Sequence, residues 1–202
     1  MQKKSSTTLY TAFLVCFISI LFGGITSVLM SVYLPVAVRD LLGTVNDKHF
    51  ESISAYINSI FIFGCMFGGL SWGFIADRIG RSKAVVLTTA CCGLFTLLTA
   101  FSSSWLVISL YRFFTGFGVG GILLTTNILI AELWPEKNRA VALGIVGVGM
   151  PIGFVFAGMM NNLIANWHYA FATGAIPLLL SGLAALVLSE PDQWKNRKTE
   201  SS

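Results

Sequence analysis

A short charged segment separates two long apolar runs of this chain and has the sequence Gly73-Phe74-Ile75-Ala76-Asp77-Arg78-Ile79-Gly80-Arg81-Ser82-Lys83. Four of its side chains carry a charge, and moving them into hydrocarbon would be costly. Gly80 permits backbone conformations that other residues disfavour. The segment therefore predicts a tight turn at a membrane surface between two membrane-spanning helices.

The composition of the chain supports a membrane location. Of its 202 residues, 55% are hydrophobic and 11% are charged, whereas soluble domains carry about 25% charged residues. A helix needs about 20 apolar residues to cross a bilayer core, and we predict six such spans at 9–38, 53–76, 84–101, 106–133, 140–164 and 169–188. The predicted fold is an all-α membrane protein in which residues 1–190 form a six-helix bundle and residues 191–202 form a polar cytoplasmic tail.

The distribution of Lys and Arg predicts the orientation of the bundle. Most of these residues lie at the two termini and in alternate connections, whereas Arg39 and Lys48 lie on the other side. The positive-inside rule then puts both termini in the cytoplasm, which requires an even number of crossings. The run after Lys3 and Lys4 is too long for a signal peptide, so we expect the first span to be retained. We predict a multi-pass cell-membrane protein that does not bind nucleic acid.

The residues with reactive side chains do not form an enzyme or metal pattern. The four cysteines lie in apolar spans without paired histidine spacing, so we interpret them as core residues and predict no metal and no cofactor. Gly69 to Gly73 has the spacing G-x-S-x-G, and His168 could be a base for Ser71. The predicted topology puts these two side chains about a membrane thickness apart, although a nucleophile and its base must meet. We predict that the chain is not an enzyme.

The charged segment resembles the loop signature of the major facilitator superfamily, a large group of secondary transporters. The matching positions are Gly73, Asp77, Arg78, Gly80, Arg81 and Lys83. This family is built from two six-helix halves, each made of two three-helix repeats, and the chain is similar to the amino-terminal half. The resemblance implies secondary active or facilitated transport of a small organic solute, such as a sugar or an organic acid, by alternating access. It also implies a second six-helix half, supplied by a second copy or a separate chain, and leaves a coupling ion open.

A second motif runs from Glu132 to Arg139 and resembles the E-x-x-P-x-x-x-R connection of sugar porters and related metabolite transporters. The resemblance implies that Asp77, Arg81, Glu132 and Arg139 form an inner gate that closes in one state and parts in the other. The alternative is a set of ordinary loop charges, since an exposed pair contributes about 0 to 1 kcal/mol.

Arg112 is the only charge deep inside a predicted span, roughly 10 Å from the outer end of the fourth helix. An unpaired guanidinium facing lipid is unfavourable, so we expect it to face protein or water. Its context from Arg112 to Gly120 resembles a fourth-helix motif of the family, in which the arginine is associated with ion coupling or organisation of the pathway. The alternative is a structural arginine bonded to carbonyls of the first helix.

Uncharged polar side chains supply the other pathway candidates, Thr26, Tyr33 and Asn127. The Asn127 amide needs partners in lipid, whereas a threonine hydroxyl can bond to its own helix. No Asp or Glu lies deep in any predicted span. Proton coupling through this half is therefore doubtful, and a facilitator, a coupling residue in the other half or an anion held by Arg112 all remain open.

Glycines on two helices predict close packing and a hinge. Gly116, Gly118 and Gly120 lie on the fourth span, and small residues let helix backbones approach each other in a membrane. On the fifth span, Gly149 and Gly153 flank Pro151, which removes a backbone hydrogen bond and favours a kink. Gly116, Gly118 and Gly121 also match the dinucleotide fingerprint G-x-G-x-x-G, but no strand precedes them.

Two functional alternatives remain. The segment Gly149 to Gly153 partly resembles a fifth-helix motif of drug antiporters, which suggests half of a drug antiporter. The absence of a second half suggests a truncated or non-transporting membrane subunit.

Overall fold

The computed structural model describes residues 6–43 and 47–188, and this part of the chain is helical with short connections. Its elements are α1 (Ser6–Leu42), α2 (Asp47–Ile79), α3 (Arg81–Thr99), α4 (Trp105–Leu133), a 3₁₀ turn (Glu136–Asn138), α5 (Arg139–Leu163), α6 (Trp167–Ala172) and α7 (Ala175–Val187). We call the end of the bundle that holds the α2–α3 junction the charged end.

Six segments of the described residues are long and apolar enough to cross a membrane, with α6 and α7 together forming the sixth. The predicted all-α membrane fold is confirmed. The helices extend past several predicted spans, and α2 starts at Asp47 inside the connection expected between 39 and 52. The apolar runs predict only the part of each helix that lies in lipid. The backbone hydrogen bonds of a helix can continue past that part, so several helices are longer than the predicted spans. The tail predicted at 191–202 lies outside the described residues.

The sixth span is interrupted at Thr173 and Gly174. Pro177 lies in the first turn of α7, where its missing N–H leaves the Thr173 carbonyl without the usual helical donor. Instead, Ile176 N–H donates to that carbonyl at 3.0 Å, which tightens the turn. Gly174 fits here because a Cβ would lie 2.6 Å from the backbone nitrogen of Leu97 on α3.

Two large apolar clusters lie inside the bundle, and a third, smaller one formed by Trp72, Ala76 and Ala84 lies along the last part of α2 and the start of α3. One lies toward the charged end and includes Ile20 of α1 and Leu129 of α4. The other lies toward the opposite end and includes Tyr33 of α1 and Trp167 of α6. Helix α1 passes through both clusters, so it links the packing of the two ends.

Helices α2 and α5 are the least buried of the spans. They carry large apolar side chains on the surface, including Ile62 and Phe74 on α2 and Val155 and Leu163 on α5. A surface this apolar suits hydrocarbon or another protein rather than water.

Glycines bring the helix backbones into contact along two seams. Gly64 and Gly68 of α2 pack on carbonyl groups of α4, and Gly116 and Gly120 of α4 pack in return on carbonyl groups of α2. A Cβ at any of these positions would collide with the facing backbone, so the seam tolerates no side chain. Gly118 faces away from this seam and packs on the backbone of Cys92 in α3.

The second seam joins α1 to α5. Gly153 of α5 packs on the carbonyl of Leu21, and Gly24 of α1 packs in return on the carbonyl of Met150. A Cβ at Gly149 would lie 3.1 Å from the carbonyl oxygen of Phe17. The helix is continuous through Pro151, which is exposed. The glycines flanking Pro151 thus face α1, while the proline lies on the outer side of α5.

Candidate functional site

The charged end is organised by the single residue between α2 and α3. Gly80 has φ 115° and ψ 151°, a region that side-chain-bearing residues rarely adopt. Its N–H donates to the Ala76 carbonyl at 3.1 Å, and its own carbonyl accepts from Ala84 N–H at 3.1 Å. The chain therefore passes from one helix to the next within one residue, which keeps the flanking charges close together.

Arg81 is the centre of these charges and is buried, with 5% of its surface exposed. Its Nη2 donates to Asp77 Oδ1 at 2.6 Å, and its Nε donates to Glu132 Oε1 at 3.1 Å. Asp77 lies at the end of α2 and Glu132 in the last turn of α4. One guanidinium thus connects three helices at the charged end.

The two carboxylates differ in their exposure to solvent. The Asp77 side chain is 59% exposed, whereas the Glu132 side chain is 13% exposed. Water screens the first pair strongly, and the second pair lies in a less polar environment. We therefore expect the bond to Asp77 to break at little cost and the bond to Glu132 to be the stronger one.

The remaining residues predicted for the inner gate lie around this group. Arg78 and Lys83 are exposed, and Gly73 packs toward Leu124 of α4. Arg139 does not join the group: it forms no ion pair among the described residues, and its buried Nε has no hydrogen-bond partner there. The reason is its position, because the 3₁₀ turn separates α4, which ends just after Glu132, from α5, which starts at Arg139.

Arg112 lies inside the bundle with 1% of its surface exposed. Its Nη1 donates to the carbonyl of Thr26 at 3.0 Å, and its Nη2 donates to the carbonyl of Ser27 at 3.5 Å. The guanidinium carbon lies 4.2 Å from the centre of the Phe61 ring. The structural alternative, in which carbonyls of the first helix hold this arginine, agrees with the geometry.

Thr26 and Tyr33 are buried and hold α1 in the bundle. The Thr26 hydroxyl donates to its own helix at the Phe22 carbonyl, 3.0 Å away, and lies 3.2 Å from Cys92 Sγ on α3. The Tyr33 hydroxyl donates to the Ile164 carbonyl at the end of α5, 2.8 Å away. The structure therefore brings Thr26 to Arg112, whereas Tyr33 lies nearer the opposite end of the bundle.

Asn127 is exposed on α4, apart from the group around Arg112. Its Nδ2 donates to the Leu123 carbonyl one turn earlier, at 2.6 Å. This bond satisfies one amide donor within the helix. The position is open to a solute or to another protein surface.

Several polar contacts were not predicted from the sequence. Trp167 Nε1 donates to Asp40 Oδ2 at 3.0 Å and ties α6 to the end of α1. The Thr89 hydroxyl donates to Ser19 Oγ at 3.2 Å, which links α3 to α1. Neither contact has a local signal in the sequence, because each pairs residues that are far apart along the chain.

The structure separates the residues considered for an enzyme. Ser71 lies on α2 toward the charged end, and His168 lies at the start of α6 at the opposite end. In residues 6–43 and 47–188, no group of three or more His, Cys, Asp or Glu side chains could hold a metal ion.

Comparisons with a family model and with known proteins indicate the same family. The family model described as Major Facilitator Superfamily matches residues 12–202. The chain is 27% identical over 200 residues to the cis,cis-muconate transport protein of Acinetobacter baylyi, covering 98% of this chain and 47% of that protein. It is 29% identical over 188 residues to the benzoate transport protein of the same organism, covering 89% of this chain and 39% of that protein.

A solved structure shows the same fold. The inward open conformation of the xylose transporter XylE from E. coli superposes with a TM-score of 0.82 at 20% identity, covering 92% of this chain and 49% of that one. The chain therefore spans about half the length of the proteins it matches. These relatives are transporters, so the prediction that the chain is not an enzyme is confirmed.

Proposed function

Because the chain belongs to the major facilitator superfamily, we propose that it forms one six-helix half of a transporter that moves a small organic acid by alternating access. Of the predicted solute classes, the organic acids have the best support. The relatives named above transport cis,cis-muconate and benzoate, and both solutes carry carboxylates that are ionised at neutral pH. Arg112 supplies the only deeply placed charge in the described spans, and its sign suits such an anion.

The observation that carries the proposal is the bridging of three helices by Arg81. Alternating access needs contacts that hold one end closed and separate at low cost. In this proposal the charged end faces the cytoplasm, as do both termini, and Asp77, Arg81 and Glu132 form the inner gate. The exposed Asp77 is the contact that parts, while Glu132 keeps α3 on α4.

The proposed pathway runs along α1 and α4. Asn127 offers an exposed amide to the solute, and Arg112 attracts its carboxylate from inside the bundle. Thr26 and Tyr33 hold α1 in position. The smooth seam at Gly149 and Gly153 lets α5 shift on α1, with Pro151 weakening the helix at that point.

A second six-helix half completes the proposed pathway. The chain spans about half of its relatives' length, and the exposed apolar faces of α2 and α5 offer a surface for such a half in the cell membrane. The candidates for this half are a second copy of the chain, a separate polypeptide and a further segment of a longer chain. A coupling ion, if one is used, binds in that other half, because the described spans hold no deep carboxylate.

An uptake assay tests this proposal. The chain is reconstituted in liposomes alone and with a co-expressed second six-helix half, and uptake of radiolabelled benzoate, muconate and xylose is measured. We expect saturable uptake of the two acids once a second half is present. Lack of uptake of all three solutes in every preparation would contradict transport.

A gate variant separates the mechanism from simple binding. Asp77→Asn should shift the bundle toward the state that is open at the charged end. Labelling of cysteines introduced at that end should then increase. Arg78→Gln serves as a matched control because Arg78 forms no ion pair among the described residues. Equal labelling of both variants would remove the gate assignment.

A non-transporting membrane subunit is the second candidate. It predicts that the chain forms a stable complex with another membrane protein while uptake stays at background. Half of a drug antiporter is a third possibility, which efflux of a cationic dye would support.

A further inference from the structure

The partners of Arg112 are all neutral. Two are the backbone carbonyls of Thr26 and Ser27 on α1, at 3.0 and 3.5 Å. Within residues 6–43 and 47–188, no carboxylate forms an ion pair with this guanidinium. The carbonyl dipoles orient Arg112 and leave its net charge uncancelled.

The remaining partner is an aromatic ring. The guanidinium carbon lies 4.2 Å from the centre of the Phe61 ring, well within the distance at which a cation is attracted to the negative face of an aromatic ring. Arg112 is almost completely buried, so water does not compete for this face. Loss of competing solvent strengthens a cation–π contact.

The glycine seam fixes the position of the ring. Gly116 lies one turn after Arg112 on α4 and packs on the backbone carbonyl of Phe61 itself. One turn along α2, Gly64 packs in return on the carbonyl of Phe113. These backbone contacts hold α2 against α4 at the level of Arg112, which leaves the Phe61 ring little freedom to move away.

We propose that Phe61 is a positioning residue for Arg112, holding its guanidinium through the ring face while leaving its positive charge available to an anionic solute. The pair of α1 carbonyls fixes one edge of the guanidinium, and Phe61 covers its plane. A carboxylate in the place of Phe61 would cancel the positive charge of Arg112. An aliphatic side chain there would leave the guanidinium without a contact on its face. This inference rests on the proposed transport of organic acids for its second part, but its first part concerns only the packing of the chain.

Graded fluorination of the ring tests the first part. Phenylalanines with one, two or three ring fluorines are incorporated at position 61, because fluorine withdraws charge from the ring face with little change in shape. We expect the unfolding temperature of the purified protein to fall stepwise, by about 4 °C in total for the loss of a buried cation–π contact. The same series at Phe17 should give no trend, because this ring is partly buried and no cation of the described part of the chain contacts it.

A protein that lacks the Arg112 charge provides the second control. In Arg112→Met the fluorine series at position 61 should have no slope. If this variant does not fold, the comparison of positions 61 and 17 in the natural background still decides the question. A flat series at position 61, or an equal slope in both backgrounds, would overturn the assignment of Phe61.

A ligand-binding measurement tests whether the Arg112 charge is available to an anion. It distinguishes this role from a purely structural role of Phe61. The rise in unfolding temperature is measured with benzoate, an anion, and with benzamide, its neutral analogue. We expect benzoate alone to stabilise the protein, and we expect Phe61→Leu to weaken benzoate binding about tenfold while Phe61→Tyr restores it. Equal effects of the two ligands would overturn the role toward anions and count against the organic-acid proposal, whereas the fluorine series would still report on Phe61.

Discussion

At the charged end, burial determines which of the two ion pairs of Arg81 contributes more to stability. Arg81 donates to Asp77 at 2.6 Å and to Glu132 at 3.1 Å, yet the shorter bond belongs to the more exposed acid. Distance alone would rank Asp77 first. Solvent screening reverses the order, because a charge pair in water contributes little at any separation.

Removal of each charge should therefore have an unequal effect on stability. Glu132→Gln is expected to lower the free energy of unfolding by about 3 kcal/mol, because it leaves the buried Arg81 without its main partner. Asp77→Asn should lower it by about 0 to 1 kcal/mol. Chemical denaturation of the purified protein in detergent, monitored by circular dichroism, measures both values. A larger loss for Asp77→Asn would contradict this ranking.

The backbone at Gly80 gives a second prediction at the scale of one residue. Its φ of 115° lies where a Cβ is strained. Gly80→Ala should destabilise the protein by about 1 to 3 kcal/mol, which the same denaturation experiment detects. Gly69→Ala is the matched control on α2, since a Cβ there meets no atom within 4 Å. Equal losses in the two variants would argue against strain at the junction.

The sequence predicted part of the site at this scale. The grouping of Asp77, Arg81 and Glu132 was expected from motifs, and the structure forms it. Arg139 was expected in the same group but stays outside, because the intervening turn sets its position and no local pattern encodes that. The contact of Phe61 with Arg112 was also not predicted, since an aromatic residue in an apolar span has no distinctive neighbours in the sequence.

Whole helices in this bundle pair through glycine rather than through large side chains. Helices gain no hydrophobic energy by associating in lipid, so close backbone contact and dispersion have to stabilise them. The seams between α2 and α4 and between α1 and α5 both follow this rule. Each seam joins the second helix of one three-helix repeat to the first helix of the other.

Substitution along a seam should show this dependence. Gly120→Ala is expected to destabilise the bundle by about 1 to 3 kcal/mol, because its Cβ would overlap the carbonyl of Cys65. Gly147→Ala on α5 is the control, since its Cβ would point into open space and alanine is the better helix former. The unfolding temperatures of the two variants, measured side by side in the same detergent, should move in opposite directions. A neutral Gly120→Ala would mean that the seam has room to separate.

The apolar runs predicted the number of spans, but they did not predict how the helices end. The length of each apolar run reflects the lipid thickness, whereas helix boundaries depend on turns and capping. The division of the sixth span into α6 and α7 follows from Pro177 and from the close approach of Gly174 to α3. A proline near a helix start is compatible with one helix or two, and only the tertiary contact distinguishes them.

The bundle as a whole has a buried apolar core, and it also exposes apolar surface on α2 and α5. The described helices bury three clusters of apolar side chains, so the bundle has the core of a folding unit. The surfaces of α2 and α5 remain apolar and exposed. Pattern and composition predicted a bundle of six spans from the sequence, because the short connections keep the spans close together.

The orientation of the whole bundle can be checked with an impermeant lysine reagent. We expect Lys83 to react when the reagent reaches the cytoplasmic face and to be protected when it is applied to intact cells, because the positive-inside rule puts the charged end in the cytoplasm. Lys48 is the internal control, since the sequence predicts it on the other face. Peptide mapping by mass spectrometry reads both sites in one sample. Labelling of Lys83 in intact cells would reverse the topology.

In the proposed transport cycle, we expect the unneutralised guanidinium inside the bundle to make conformational changes sensitive to voltage. One elementary charge carried across the full membrane potential corresponds to about 2.3 kcal/mol per 100 mV. Arg112 is fixed to α1 and α2 as well as to α4, so any tilt of this unit carries the charge through a fraction of the electric field. The rate of such a conformational step then depends on the electrical state of the cell, even when the solute concentrations on the two sides are equal.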